Sequence, residues 1–200
     1  GTLQLPEGLK YVSGFDSTNI TNVIFPSTLE EIGENAFYYC RSLMCEISLP
    51  ASLKKIGYQA FAYSAISGNL VLPEGLEDIG SNAFSSCQNL TGSLRIPQGI
   101  KVIQPATFSR TGLNGNLILP EGLVHIGGGA FSYSYLRGEL NIPSTVTIID
   151  GSAFSNTRFS GTVVLPKELI TLGSAVFYNC QYLTGIVEVP QNIVSIPSTT

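Results

Sequence analysis

The stretch from Leu70 to Pro97 reads LVLPEGLEDIGSNAFSSCQNLTGSLRIP, and its pattern recurs along nearly the whole chain of 200 residues. Prolines mark this recurrence at a nearly constant spacing: Pro6, Pro26, Pro50, Pro73, Pro97, Pro120, Pro143, Pro166 and Pro190. Each of these marker prolines from Pro26 to Pro166 is followed eleven residues later by a phenylalanine, as Pro73 is by Phe84. A fixed period of about 23 residues predicts a solenoid, in which each coil contacts only its neighbours.

Within one coil, the segment just before the proline alternates between apolar and other residues. Leu70 and Leu72 flank Val71, which is the period-two signature of a strand with one buried face. Proline ends such a strand because it lacks an N–H group and fixes φ. Leu76 and Ile79 then face the interior from the opposite side. The polar return segment is too short for a full helix, and we expect a short turn or a 3₁₀ segment there.

Composition excludes several classes of function. Charged residues make up 12% of the chain and the net charge is −4, so there is no basic stripe that could neutralise phosphates, and we expect no nucleic-acid partner. No apolar run approaches the ~20 residues that span a bilayer, so we predict no transmembrane segment.

An inventory of reactive residues predicts no catalytic site, no metal site and no cofactor. The single histidine, His125, is predicted to be solvent-exposed, with no nucleophile beside it. Cys40, Cys87 and Cys180 occupy one repeat position, fourteen residues after a proline, and Cys45 stands where six later coils have glycine. We expect buried free thiols, and a Cys40–Cys45 disulfide is the open alternative.

The string C-x-x-L-x-x-x-L-x-L-P-x-x-L-x-x-I-G-x-x-A-F, present with local changes from Cys87 to Phe108, resembles the BspA-like bacterial class of leucine-rich repeats. The resemblance covers nearly the whole chain. The chain departs from that pattern by one extra residue before the strand, usually with a glycine, and by the separation of Ala106 from Phe108 and of Ala175 from Phe177. The resemblance implies a leucine-rich repeat solenoid of the α/β horseshoe class, mainly β with short 3₁₀ turns, right-handed, with one parallel strand per coil of about 23 residues.

We predict one solenoid domain over residues 1–200. Residues 1–25 would form a degenerate N-terminal coil, 26–189 seven regular coils, and 190–200 an incomplete C-terminal coil. The pattern is already under way at Leu3 and stops in mid-coil, so we expect a processed start and a piece of a longer chain.

The function implied by the resemblance is recognition. It implies a secreted, extracellular or cell-surface bacterial protein that acts as a protein-interaction or adhesion module, is not an enzyme, and has a protein or glycan ligand. The alternative is an inert structural spacer within a larger surface protein, in which the repeats only set distance.

Two surfaces are candidates for ligand contact. The first is the concave face, formed by residues two before the prolines, where an apolar stripe could bind a ligand or could reflect β-propensity alone: Ile24, Val71, Arg95, Ile118, Asn141, Val164 and Glu188. The second is the tyrosine flank, where the rings could bind a protein or stack on a glycan, or could merely cover the ends of the core: Tyr38, Tyr39, Tyr63, Tyr133, Tyr135, Tyr178 and Tyr182.

A third surface feature is an alternation of charge just after the prolines. Glu30 and Glu31, Lys54 and Lys55, Glu77 and Asp78, and Lys101 occupy equivalent positions on successive coils. Opposite charges stacked in this way form a favourable cross-strand ladder, which we interpret as structural.

Overall fold

Short strands lie on both sides of the prolines in the computed structural model, which describes residues 1–185 and 189–193. Numbered in chain order, the strands that precede a proline are β1 (Thr2–Gln4), β3 (Asn22–Ile24), β6 (Gly68–Asn69), β8 (Leu90–Thr91), β9 (Leu94–Arg95), β11 (Leu117–Ile118), β13 (Arg137–Glu139) and β15 (Arg158–Ser160). Those that follow one are β2 (Tyr11–Val12), β4 (Glu31–Ile32), β5 (Lys55–Ile56), β7 (Asp78–Ile79), β10 (Val102–Ile103), β12 (His125–Ile126), β14 (Ile148–Ile149) and β16 (Thr171–Leu172).

All pairings between these strands are parallel and join equivalent segments of successive coils, so the predicted β-solenoid is confirmed. The strands after the prolines form two four-stranded sheets, β2-β4-β5-β7 and β10-β12-β14-β16. The strands before the prolines pair only two by two, as β1-β3, β6-β8, β9-β11 and β13-β15. The more continuous sheet therefore follows the proline, whereas the alternating pattern predicts the strand of each coil before it.

Glycine explains why the pre-proline strands are fragmented. Gly68, Gly92, Gly138 and Gly161, each five residues before a proline, have φ between 78° and 80°, where glycine alone is free of strain. The register shifts at this kink. Gly68 lies five residues before Pro73, whereas its partner Leu90 lies seven residues before Pro97. The extra glycine that departs from the family pattern is thus a backbone bend that interrupts the ladder.

The return segment after each strand is a run of turns, and no described residue is helical. In the coil that follows Pro26, the Tyr38 N–H donates to the Asn35 carbonyl at 3.1 Å, which closes one turn. The Phe37 N–H instead donates to Ala60 of the next coil at 2.7 Å. Successive amides therefore alternate between closing a turn and donating to the next coil. In this way the backbone is hydrogen-bonded without a 3₁₀ helix.

These turns place two residues per coil in the left-handed region, and all of them except Gly129 carry a Cβ. The positions lie nine and thirteen residues after the proline: Asn35, Tyr39, Gln59, Tyr63, Asn82, Ser86, Ala106, Arg110, Tyr133, Ser152, Asn156, Ala175 and Asn179, with φ from 51° to 61°. Asn35 and Tyr39 are each the third residue of a turn, where a type II turn requires positive φ. This conformation costs a residue with a Cβ on the order of 1 kcal/mol. The strained turns place the phenylalanine ring between the two left-handed positions, as Phe37 lies between Asn35 and Tyr39.

That ring is the phenylalanine of each coil, and it lies at the centre of one continuous core. Eight rings stack face to face, with centroids 5.3–5.8 Å apart and planes within 12° of parallel: Phe15, Phe37, Phe61, Phe84, Phe108, Phe131, Phe154 and Phe177. The inward leucines and isoleucines predicted three and six residues after the prolines are buried around this stack in the regular coils, Leu76 and Ile79 among them. The predicted core is confirmed.

The cysteines vary with the length of the coil. The longer coils, in which the next proline comes one residue later, carry Cys40, Cys87 or Cys180 fourteen residues after their own proline, and the shorter regular coils carry serine or threonine there. The Cys87 thiol donates to the Phe61 carbonyl of the preceding coil at 3.0 Å, whereas the Thr111 hydroxyl donates to Phe108 of its own coil at 3.0 Å. All four cysteines are free thiols, and Cys45 is the one that is not fully buried.

We expect replacement of Phe84 by alanine to lower the free energy of unfolding by about 3–5 kcal/mol, because it leaves a ring-sized cavity in a buried stack. Its ring lies 5.4 Å from that of Phe61 and 5.6 Å from that of Phe108. Urea denaturation followed by circular dichroism measures the change. The exposed Val71→Ala is the control, with an expected cost within about 0.5 kcal/mol. Equal costs for the two variants would contradict the stack as the core.

Stability should also fall at high pH through Cys87. Burial raises the pKa of its thiol from an ordinary value of 9.0 to about 12. A raised pKa means that the folded state holds the proton more tightly, so the stabilisation is complete below pH 9 and is lost as the pH rises towards 12. The free energy of unfolding should fall by up to about 1.4 kcal/mol per pH unit in this window. The free energy of unfolding of Cys87→Ser should fall less steeply over the same range of pH. Parallel curves would refute the assignment.

Candidate functional site

The concave face, called the pre-proline face from here on, exposes its apolar stripe in shallow grooves. Ile24, Val71, Ile118 and Val164 are 45–63% exposed. Asn141 lines two adjoining grooves of ≈ 520 Å³ and ≈ 300 Å³, the first also lined by Val164 and the second by Ile118. Arg95 is held by Glu74, with Nε and Oε1 3.3 Å apart. Glu188 lies outside the described residues, and ligand contact by this face stays a prediction.

The tyrosine flank divides into two groups and one separate ring. The first group lies near the N-terminal end, where the Tyr38 and Tyr39 rings are 6.0 Å apart and both contact Tyr63, at 5.9 and 6.3 Å. Arg41 places its guanidinium 4.1 Å from the centre of the Tyr39 ring. Tyr38 is half-buried against its neighbours, while the other members are exposed. Tyr178 stands apart from both groups.

The second group combines tyrosines with arginines. Arg110 stacks over the Tyr133 ring at 4.5 Å, and Arg158 stacks over the Tyr135 ring at 4.7 Å. Tyr182 lies beside Arg158 on the wall of a cleft. Both groups therefore contain cation–π pairs, whereas the contacts between tyrosine rings lie in the N-terminal group.

Sequence reasoning missed these arginines, although the repeat contains the signal for them. Arg110 lies one repeat period before Tyr133, and Arg158 lies one period after Tyr135. Residues one period apart in a solenoid are stacked neighbours. Comparing successive coils position by position, rather than counting tyrosines, would have predicted both pairs.

The charge ladder after the prolines is confirmed at Lys54 and Lys55, whereas Lys101 makes no ion pair with the described residues. Lys54 Nζ lies 3.4 Å from Glu77 Oε1, and Lys55 Nζ lies 3.2 Å from Glu31 Oε1. Lys10 extends the ladder by pairing with Glu30 of the following coil. The hydrogen bond and charge of Glu31 raise the pKa of Lys55 above its ordinary value. These carboxylates are used in ion pairs that join coils.

The prediction that His125 is solvent-exposed is wrong. Its side chain is half-buried, and Nε2 lies 2.7 Å from Asp150 Oδ2 of the next coil. Asp150 stands seven residues after its proline, where Gly127 and most other coils have glycine, so its carboxylate reaches back towards the preceding coil. This hydrogen bond joins two successive coils in the C-terminal half.

The described residues contain no group of three or more histidines, cysteines or carboxylates that could hold a metal ion. Within the same ranges, no helix is long and apolar enough to cross a membrane. These surfaces present exposed aromatic rings, guanidinium groups and shallow grooves.

Comparison with known proteins places this arrangement among repeat proteins. The sequence profile of the BspA type leucine rich repeat region matches residues 11–137 and 134–200, with six copies. No curated protein sequence matches the chain.

Several solved structures share the solenoid. A leucine-rich repeat protein from Bacteroides ovatus is 22% identical with a TM-score of 0.62, over 91% of this chain and 53% of that one. A leucine rich cell surface protein from Faecalibacterium prausnitzii is 26% identical with a TM-score of 0.58, over 93% and 46%. The pneumococcal vaccine antigen PcpA is 24% identical with a TM-score of 0.54, over 98% and 64%. The chain thus spans less than two thirds of each of these proteins.

The charge ladder leads to a testable prediction. Lys54→Glu should lower the free energy of unfolding by about 0.5 kcal/mol at low salt, because it places three like charges in adjacent coils. The loss should shrink in 1 M NaCl, where the screening length is about 3 Å. Lys167→Glu, an equal charge change on an exposed residue outside the ladder, is the control. A loss that does not depend on salt would contradict the electrostatic explanation.

Proposed function

The chain belongs to the BspA type leucine-rich repeat family, and from this membership we propose that it is a non-catalytic recognition module of a bacterial secreted or surface protein. Its task is adhesion, through non-covalent contact with a protein or glycan outside the cell. Support for the location is indirect: one similar protein is described as a cell surface protein and another as a vaccine antigen.

The observation that carries the proposal is the exposure of the tyrosine flank. Tyr39, Tyr63, Tyr133, Tyr135, Tyr178 and Tyr182 are 40–58% exposed. The phenylalanine stack and its surrounding leucines fill the interior without them, so these rings are not needed to cover the core. Exposed tyrosines supply large contact area at a low cost in conformational entropy.

Backbone strain supports the same interpretation. Tyr39, Tyr63 and Tyr133 occupy left-handed positions, which bulky residues rarely adopt. Asn156 and Asn179 fill the equivalent position in later coils, and asparagine tolerates this conformation better. A tyrosine at such a position carries a conformational cost that binding would explain.

The proposal is tested on an array of matrix proteins and glycans. The double variant Tyr133→Asn with Tyr135→Asn should weaken capture of the selected ligand at least tenfold, as expected for rings at the centre of a contact. Its melting temperature should stay within a few degrees, because asparagine suits the left-handed conformation at position 133 and Tyr135 is half exposed. Tyr11→Ser, an exposed tyrosine on the post-proline sheet, is the matched control and should bind normally.

Other outcomes are equally informative. Loss of binding in Ile118→Ser, but not in the tyrosine variants, would move the site to the pre-proline face. Failure to capture any ligand on the array would refute recognition and favour an inert spacer.

A further inference from the structure

Two arginines lie opposite each other on neighbouring coils. Arg137 and Arg158 are direct partners in the parallel pair β13-β15, where strands lie about 4.8 Å apart. Like charges in this position repel each other and destabilise a sheet. Among residues 1–185 and 189–193, neither side chain has an ion-pair partner. The chain has 14 acidic and 10 basic residues, so the lack of a partner does not come from a shortage of carboxylates.

One of these guanidinium groups is held in place by an aromatic ring. Arg158 lies 4.7 Å from the centre of the Tyr135 ring, so its flat face is covered. Stacking of this kind occupies the face of the guanidinium and leaves the N–H donors at its edge free. A fixed guanidinium edge matches the two oxygens of a carboxylate or a sulfate. The stack therefore prepares a donor for an oxyanion at little further cost in side-chain entropy.

The two arginines open onto a cleft. Arg137, Gly138, Arg158, Ser160 and Tyr182 line a space of ≈ 330 Å³, which we call the arginine cleft. Gly138 has φ of 80° and contributes no side chain to the cleft, and the Asn116 amide lies against it. The walls offer two cations, one hydroxyl and one half-exposed aromatic ring.

We propose that the arginine cleft binds an acidic sugar residue of a polysaccharide, with the carboxylate or sulfate on Arg137 and Arg158 and the sugar ring against Tyr182. This inference rests on the proposed function and names the class of ligand for its C-terminal tyrosine group. The volume is at the lower end for ligand sites, as suits a single sugar ring. The tyrosine face suits the apolar face of a sugar ring, and the Ser160 hydroxyl suits its hydroxyl groups.

An acidic peptide fits this cleft less well. One way in which an extended peptide binds is by adding a strand to a free sheet edge, which needs unpaired backbone groups. Here β13 and β15 pair with each other, the Arg137 N–H donates to Gly115 of the preceding coil, and Gly161 bridges to Leu183 of the following one. The chain is therefore bonded to the coil on either side of this strand pair, at Arg137 and at Gly161 directly after β15.

The experiment uses the whole chain and four probes of similar length: polygalacturonate, chondroitin sulfate, neutral dextran and poly-glutamate. Titration calorimetry at 50 and 150 mM NaCl measures affinity. One or both of the anionic polysaccharides should bind and dextran should not. Arg137→Gln and Arg158→Gln should each weaken that binding at least tenfold, since each removes a charged donor. Arg41→Gln removes an arginine that stacks on Tyr39 and has no second arginine opposite it. The affinity of this variant should stay within twofold of that of the unaltered chain.

A second measurement separates binding from folding. Arg137→Gln removes the repulsion, so the free variant should melt at the same temperature as the unaltered chain or higher. Its melting temperature should no longer rise when the bound polysaccharide is added, whereas that of the unaltered chain should. Loss of binding together with a lowered melting temperature would instead indicate a structural role and would overturn the proposal.

Three results would also overturn it: no binding of either anionic polysaccharide, equal binding of poly-glutamate, or equal weakening by Arg41→Gln. Each of these results can be distinguished from a failure of the proposed recognition by the tyrosine flank. If the array captures another ligand in a manner that depends on Tyr133, recognition by the flank stands while the acidic-sugar assignment falls.

Discussion

Face-to-face stacking of one phenylalanine per coil is the contact on which this solenoid depends. The eight rings remain within 12° of parallel over the described chain, so each coil is oriented by the ones before and after it. A single coil has too little interior to bury such a ring alone, and the core exists only as a stack. The turns, with their strained left-handed residues, are the backbone path that brings each ring to the axis.

The repeat made the interior predictable and left the surface undetermined. Leu76, Ile79 and Phe84 recur in register, so their burial follows from the period. The left-handed positions could not be predicted, because Tyr133, Arg110 and similar residues fill them and give no local signal comparable to glycine. Their conformation is imposed by hydrogen bonds to the adjacent coil, which propensity does not describe.

Some features were readable and were overlooked. The match between cysteine and the longer coils is present in the sequence, and so is the period that relates Arg158 to Tyr135. The contact of His125 with Asp150 is harder to predict, because it depends on a side chain replacing the usual glycine. In a solenoid, pairwise comparison of neighbouring coils gives more information than either composition or local pattern.

The direction of the hydrogen bonds between coils has an electrical consequence. On the turn side, the N–H groups of Asn35, Phe37 and Tyr39 all donate to the coil that follows. After the prolines, those of Lys54 and Gly57 donate to the coil before. Outside the ladder bonds of the strands, the hydrogen bonds between coils therefore run in opposite directions on these two sides of the molecule. Unlike the aligned dipoles of an α-helix, which separate charge between its ends, these opposed bonds offset one another.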